Sequence, residues 1–234
     1  MPGPAVEILP AHGSTRAVVL VLHGGKAVST EPGRPRNLSV VRLIPFARAI
    51  HRASADDGVA TWRLRHRYRG WNGPEASPVA DARWALEEVR RRHGDVPVVL
   101  FGHSMGGRTA VRVADDPAVR TVVALAPWLP SGEPVTTVAG RRVLLAHAER
   151  DGRTSPHESR AWLDRARPLT ERAVYVRVPR AGHYLLRRAS VWKSIATTFV
   201  LDGLREIAPS TPSVRGAGPD LLAEVAAGAT MLRA

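Results

Sequence analysis

The segment 97–107, P-V-V-L-F-G-H-S-M-G-G, contains the residues of this chain whose types and spacing point most directly to chemistry. A short apolar run ends in Gly102 and His103, Ser104 follows, and a helix-compatible stretch at 108–114 comes soon after. A turn this sharp needs residues without Cβ two positions before and two positions after the serine. The pattern therefore predicts that Ser104 lies at the tip of a strand–turn–helix unit, where the helix N-terminus favours developing negative charge.

A serine hydroxyl is a weak nucleophile, so it needs a base within hydrogen-bonding distance and a third group that orients the base. In a parallel α/β sheet, such groups gather at the carboxyl ends of the strands. Asp151 follows a predicted strand at 142–146, and His183 follows a predicted strand at 173–178. We therefore predict Ser104 as nucleophile, His183 as base and Asp151 as the orienting acid. Glu149 is the alternative acid.

Attack of a serine on a carbonyl creates an oxyanion, which needs fixed N–H donors. The backbone N–H of Met105 is one candidate donor. The loop after the predicted strand 17–22 reads H-G-G-K at 23–26 and offers Gly25 as the first choice of second donor and Lys26 as the second choice. A simple Gly-Gly turn is the alternative interpretation. His103 is too close to Ser104 along the chain to turn back onto it, so we predict that it packs or lines the pocket.

The elements that must position these residues alternate along the chain. Strands are predicted at 6–9, 17–22, 59–65, 98–101, 121–126, 142–146 and 173–178, and helices at 38–53, 81–92, 108–114, 156–167 and 190–204. This alternation predicts an α/β protein with a mostly parallel central sheet and helices on both faces. Pro45 is expected to start or kink the first helix.

Composition limits the classes of function. The 234 residues carry a formal net charge of +13, but the arginines are scattered, which favours a solvated basic surface over a nucleic-acid site. The absence of cysteine excludes disulfides, thiolate metal sites and a cysteine nucleophile. No apolar stretch is long enough to span a bilayer, and the N-terminus lacks the pattern of a signal peptide. We therefore expect a cytoplasmic protein, whose oligomeric state the sequence leaves open.

Four motifs together resemble the α/β-hydrolase superfamily over residues 6–204: H-G-G at 23–25, G-H-S-M-G-G at 102–107, R-D-G at 150–152 and A-G-H at 181–183. The resemblance implies a serine hydrolase of the esterase, thioesterase or lipase-like kind, without cofactor or metal. Residues 1–204 would then form the catalytic domain. Residues 205–234 would form a Pro/Gly-rich linker and a C-terminal tail, with a weak apolar helix at 220–232.

The segment between the predicted strands at 121–126 and 142–146 is too short for the helical cap that many members of this superfamily insert there. We therefore expect no large cap domain and an open site. Candidate pocket residues are His23, Tyr68, Trp71, Trp128 and Leu129. The loop that contains Tyr68 and Trp71 also offers Arg67 and Arg69, which could bind an anionic substrate or form a solvated basic loop with Trp71 in the core.

These features predict cleavage of carboxylic esters or thioesters of small or carrier-linked acyl groups through an acyl-enzyme. A small-molecule substrate is the expected partner. The alternatives are a non-catalytic protein of the same fold that binds a ligand or partner, and an acyltransferase or perhydrolase that uses the same triad.

Overall fold

The computed structural model describes residues 3–205 and 231–233. Its strands are β1 (Ala5–Leu9), β2 (Ala17–Leu22), β3 (Val59–Arg65), β4 (Val98–His103), β5 (Val119–Leu125), β6 (Arg142–Ala148), β7 (Arg172–Val178) and β8 (Met231–Arg233). Its α-helices are α1 (Leu38–Val41), α2 (Ile44–Ser54), α3 (Ser77–His93), α4 (Met105–Arg112), α5 (Pro156–Ala166) and α6 (Ala189–Leu204).

The strands form one sheet in the order β1-β3-β2-β4-β5-β6-β7-β8. Only β1 runs antiparallel to its neighbour; every other pairing is parallel. All residues of β2 and β4 are buried, as expected for strands that are covered on both faces. The mostly parallel sheet predicted from the alternation is confirmed, and β4 lies near its middle.

Helices cover both faces of the sheet, which confirms the predicted layering. On one face, α2 and α6 pack through side chains such as Phe46 and Trp192. On the other face, α3, α4 and α5 pack through side chains such as Leu86, Val111 and Trp162. Each of these five helices buries apolar side chains against the sheet, so the loops at the carboxyl ends of the strands are held on a rigid base.

The predicted helix at 38–53 is divided at Leu43 into α1 and α2. Pro45 lies in the first turn of α2, where its missing N–H costs nothing. A proline that starts a helix is one of the two outcomes expected from the sequence.

Most of the C-terminal tail lies outside the described residues, including the part of the predicted helix at 220–230. Residues 231–233 do not extend that helix, because they form β8, which pairs with β7 in parallel. The division of the chain at residue 204 stays a prediction.

The segment 126–141 between β5 and β6 contains one short 3-10 turn, Thr136–Val138, and no α-helix. The expected absence of a large cap at this position is therefore confirmed. Among residues 3–205 and 231–233, no helix is both long enough and apolar enough to cross a membrane.

Candidate active site

Ser104 occupies a strained turn between β4 and α4. Its backbone has φ 56° and ψ −120°, a region that residues with a side chain rarely adopt. A Cβ at Gly102 would clash with the carbonyl group of Gly106, and a Cβ at Gly106 would clash with that of Leu22. The backbone is therefore packed so tightly on both sides of the turn that only glycine fits, as the sequence pattern predicted.

The structure brings the serine, the histidine and the aspartate into one line of hydrogen bonds. Ser104 Oγ donates to His183 Nε2 at 3.1 Å, and His183 Nδ1 donates to Asp151 Oδ2 at 2.8 Å. Ser104 is 8% exposed, and the Asp151 side chain is fully buried. This arrangement can draw the proton from a serine hydroxyl and stabilise the imidazolium that forms.

Asp151 is held by more donors than His183 alone. Its Oδ1 accepts backbone N–H bonds from Arg153 at 2.7 Å and from Thr154 at 3.0 Å. Its Oδ2 also lies 3.3 Å from His147 Nε2 and accepts from Thr154 Oγ1 at 3.2 Å. Burial by itself would raise the pKa of Asp151, but these hydrogen bonds outweigh burial and hold the pKa below its ordinary value.

His147 and Thr154 are neighbours of Asp151 that sequence reasoning missed. The His147 side chain is fully buried, and its Nδ1 lies 3.1 Å from Ser159 Oγ, so the ring is fixed at both nitrogens. The only signal for His147 was its position in β6, four residues before Asp151. This spacing does not distinguish His147 from the other histidines among the nine in the chain.

His103 fixes the loop that carries His183. Burial, followed by the nearby His183, lowers the pKa of His103 to about 3, so the imidazole is neutral. Its Nε2 donates to the backbone oxygen of His183 at 2.8 Å. The expectation that His103 packs rather than reacts agrees with this placement.

The two candidates for the second oxyanion donor differ in the structure. The N–H of Lys26 donates to the backbone oxygen of Arg69 at 2.8 Å, so it is already used and the choice of Lys26 is corrected. Within the described part of the chain, no group accepts a hydrogen bond from the N–H of Gly25. A Cβ at Gly25 would clash with Arg69 O and approach the Met105 side chain, so this position also requires glycine.

A cavity of about 610 Å³ opens beside Ser104. It is lined by Gly25, Lys26, Ala27, Ser104, Met105, Trp128, Arg153, Thr154, His183 and Tyr184. Trp128 is the one predicted pocket side chain among them. The lining residues come from five different loops at one edge of the sheet, so the cavity lies at the edge where the predicted topology places functional groups.

The other predicted pocket residues do not line this cavity. His23 is buried, and its Nε2 accepts a hydrogen bond from the His66 N–H at 3.2 Å. Leu129 is buried in the core on the face of α3, α4 and α5. Tyr68 pairs with Pro32 through an isolated backbone bridge, and Trp71 is 3% exposed. These four predictions are corrected, because packing and backbone pairing direct the residues elsewhere.

Trp71 instead supports the wall that Trp128 forms. The Arg108 guanidinium lies 3.9 Å from the Trp71 ring and 4.6 Å from the Trp128 ring. Arg108 and Arg112 both bind Glu133, whose side chain is 1% exposed. This buried group of charges and aromatic rings keeps Trp128 in place at the cavity.

The remaining charged candidates are already paired. Arg67 Nε donates to Asp81 Oδ1 at 2.5 Å, and Arg69 forms an ion pair with Glu31, so neither guanidinium is free for a substrate. Glu149 accepts a hydrogen bond from Arg177 at 2.9 Å, while Asp151 takes the position beside His183. Within residues 3–205 and 231–233, no group of three or more His, Cys, Asp or Glu side chains could hold a metal ion.

Comparison with known proteins agrees with the class that this fold and site define. The sequence model of the alpha/beta hydrolase family matches residues 18–230, so the chain belongs to that family. No curated protein sequence matches the chain.

Several solved structures share the fold at low identity. An alpha-beta serine hydrolase homologue from Coxiella burnetii has a TM-score of 0.64 and 18% identity over 84% of this chain and 91% of its own. A serine hydrolase without lid from Xanthomonas campestris has a TM-score of 0.62 and 21% identity over 90% and 94% of the two chains. Est1E from Butyrivibrio proteoclasticus, solved with ferulic acid bound, has a TM-score of 0.61 and 14% identity over 86% and 95%.

Proposed function

We propose that this protein is a serine hydrolase that cleaves carboxylic esters or thioesters through an acyl-enzyme. The observation that supports it most is the hydrogen-bonded line from Ser104 Oγ through His183 to the buried Asp151 carboxylate. The line ends at an open cavity, so a substrate carbonyl can reach the hydroxyl. The neighbouring folds described as serine hydrolases and esterases support the same class of reaction.

In the first half of the reaction, Ser104 Oγ attacks the carbonyl carbon while His183 Nε2 takes its proton. The carbonyl oxygen becomes an oxyanion, and we assign the N–H groups of Met105 and Gly25 as its donors. When the tetrahedral intermediate collapses, the bond to the alcohol or thiol breaks. His183 returns the proton to that leaving group, and the acyl group stays on Ser104.

In the second half, a water molecule takes the place of the alcohol or thiol. As the oxygen atom of the water attacks the acyl carbon, His183 removes a proton from the water. A second oxyanion forms and accepts hydrogen bonds from the same N–H donors. Collapse of this intermediate breaks the bond to Ser104 Oγ, which regains the proton from His183. The products are a carboxylic acid and the restored enzyme.

Asp151 acts on the imidazole and not on the substrate. Its lowered pKa keeps the carboxylate ionised at neutral pH, and the bond to Nδ1 leaves Nε2 free to face Ser104. His103 acts one step further away, since its bond to the His183 backbone oxygen fixes the loop on which the base sits.

The absence of a cap between β5 and β6 supports small acyl groups, or acyl groups presented on a larger carrier, over long buried chains. We expect hydrolysis of p-nitrophenyl esters to be fastest for short acyl groups. A parallel acyl-CoA series at the same chain lengths would rank thioesters against oxygen esters. An optimum at long chains would contradict this part of the proposal.

Substitution of the nucleophile tests the reaction itself. Ser104→Ala is expected to lower kcat for p-nitrophenyl acetate by at least about 10³-fold, because no other group can form the acyl-enzyme. Ser190→Ala, at an exposed serine in α6, is the matched control and should retain wild-type kcat. Full activity in Ser104→Ala would overturn the proposal.

A further inference from the structure

Besides the proposed base His183, two residues that line the cavity have charged side chains, and both of them are cations. Lys26 comes from the loop after β2, and Arg153 comes from the loop after β6. Among the residues that the structure describes, neither side chain has a carboxylate partner. Other arginines of the molecule, such as Arg83 and Arg112, pair with Asp or Glu.

The acidic residues of the surrounding loops are already paired. The lining residues come from five loops, of which those at 23–37, 126–141 and 149–155 contain Asp or Glu. Glu31 in the first of these loops pairs with Arg69. Glu133 in the second pairs with Arg108 and Arg112.

The loop at 149–155 contains Glu149, which pairs with Arg177, and Asp151, whose fully buried carboxylate is bonded to His183. The Asp151 carboxylate offsets one positive charge, and Lys26 and Arg153 together carry two. The net field inside the cavity is therefore positive, which raises the local concentration of anions and disfavours cations.

The two cations lie on opposite sides of the nucleophile. In the sheet, β2 is the neighbour of β4 on one side, and β6 lies beyond β5 on the other. Ser104 follows β4, so Lys26 and Arg153 bracket it. A substrate bound at Ser104 thus has one cation near each of its two ends.

Arg153 lies on the side of the leaving group. Its guanidinium carbon is 5.8 Å from the centre of the Tyr184 ring, and that ring is 5.4 Å from the ring of His183. The guanidinium of Arg42 lies 4.8 Å from the same Tyr184 ring. His183 must return its proton to the departing alcohol or thiol, so that part of the substrate lies beside Tyr184.

We infer that the site prefers esters or thioesters whose alcohol or thiol part carries a negative charge, a carboxylate or a phosphate, and that Arg153 binds this charge. A guanidinium suits both groups because its N–H donors match their oxygen atoms in pairs. Lys26 adds attraction from the other side of Ser104. This inference rests on the proposed hydrolase function.

Matched acetate esters test the charge of the leaving group. The anionic substrates are 4-acetoxybenzoate and 4-acetoxyphenyl phosphate, which separate carboxylate from phosphate, and the neutral reference is 4-acetoxybenzamide. We expect kcat/KM to be about tenfold higher for at least one anion than for the amide, the size of one charge-assisted contact at a partly exposed site. The preference should fall as NaCl screens the cations.

Variants assign that preference to Arg153. Arg153→Met should remove most of the roughly tenfold ratio, whereas Lys26→Met should reduce the ratio less. Arg120→Met, at an exposed arginine near the start of β5, is the control and should keep the wild-type ratio. Comparing ratios between variants cancels the different intrinsic reactivity of the esters.

Phenyl hydrogen succinate places the negative charge on the acyl part instead, and phenyl butyrate is its neutral reference. An Arg153-dependent preference that is larger in this pair would overturn the assignment to the leaving group, and an unchanged ratio in Arg153→Met would overturn the role of Arg153.

The results distinguish a wrong inference about the charge of the leaving group from a wrong proposal of hydrolase function. One outcome is that the protein hydrolyses 4-acetoxybenzamide and takes a fluorophosphonate label on Ser104, while kcat/KM is no higher for the anionic esters than for the amide. In that case the inference is wrong and the proposed function stands. If neither ester hydrolysis nor labelling occurs, both are wrong.

Discussion

Two buried aspartates, Asp151 and Asp81, each lie beside a histidine, but only the histidine beside Asp151 reaches a serine at an open cavity. The Asp151 cluster consists of Asp151, His147 and His183, and the far nitrogen of His183 reaches Ser104 at an open cavity. The Asp81 cluster consists of Asp81, His66 and Arg67, and the first two have no exposed surface at all.

The clusters differ in what lies at the far end of the histidine. His66 Nδ1 is 3.6 Å from Asp81, too far for a hydrogen bond, and its ring lies edge-on to the ring of His23 at 4.6 Å. Among the described residues, neither ring nitrogen of His66 has a hydrogen-bond partner. An aspartate beside a histidine is therefore not a sign of catalysis by itself; the histidine must also face a nucleophile that a substrate can reach.

The two clusters also differ in the groups that balance the charge of the aspartate. Burial would raise the pKa of Asp81, but His66 and two hydrogen bonds from Arg67 outweigh burial and lower it. A permanent cation thus fixes the Asp81 charge. Among the described residues, no arginine or lysine is bonded to Asp151, and its Oδ1 is held by two backbone N–H groups. In the proposed reaction, it can therefore stabilise a positive charge that appears on His183.

The largest expected effect separates the clusters by activity. Asp151→Asn should lower kcat for p-nitrophenyl acetate by about 10³–10⁴-fold, because the amide can donate to Nδ1 and hold the imidazole in the wrong tautomer. Asp81→Asn should retain kcat within about fivefold at a temperature at which it stays folded. Equal losses of kcat in the two variants would remove the distinction between the clusters.

The second prediction compares the two clusters by the stability of the protein instead of its activity. Asp81→Asn should lower the free energy of unfolding by about 2 kcal/mol, since it removes the charge of a fully buried carboxylate that accepts two hydrogen bonds from the half-exposed Arg67. Urea denaturation at pH 7 measures this value. The distinction fails if Asp81→Asn unfolds at the wild-type urea concentration.

Much of this comparison was accessible from the sequence. Ser104, Asp151 and His183 could be predicted because each follows a strand and one of them lies between glycines, so topology alone places them at one edge of the sheet. The lack of a cap was accessible from the length of the segment 126–141.

The parts that could not be predicted depend on contacts between distant residues. The sequence offers Gly25 as the first choice of second oxyanion donor and Lys26 as the second choice, and only the approach of Arg69 shows that the Lys26 N–H is occupied. His23 and Trp71 look like pocket residues because they lie in loops beside the site, but packing against His66 and Arg108 turns them away. Such long-range pairings leave no local pattern.

The third prediction concerns His147, which we expect to be a positioning residue. His147→Asn removes a ring that lies 3.3 Å from Asp151, so kcat should fall about tenfold while KM stays constant. With one donor fewer, the carboxylate charge acts more strongly on His183, and the acid limb of the kcat/KM profile should move to higher pH. His157→Asn, at an exposed histidine in α5, is the control; a fall in stability without any shift of the pH profile would contradict this role.

The smallest effect concerns His103, whose pKa of about 3 lies below the ordinary value of about 6.5 because the ring is buried. Between these values the unfolded chain binds a proton that the folded protein does not. The free energy of unfolding should therefore fall as the pH drops below about 6.5, by up to about 1.4 kcal/mol per pH unit from this residue. His103→Gln should flatten the slope by that amount between about pH 5.5 and 4; parallel slopes in urea denaturation would contradict it.

Covalent labelling with an alkyl fluorophosphonate, located by mass spectrometry of the digested protein, tests the central claim most directly. The account predicts a single label on Ser104, no label in Ser104→Ala, much slower labelling in Asp151→Asn and a wild-type rate in folded Asp81→Asn. A label that persists in Ser104→Ala, or a native protein that takes no label, would contradict the assignment of Ser104 as the nucleophile.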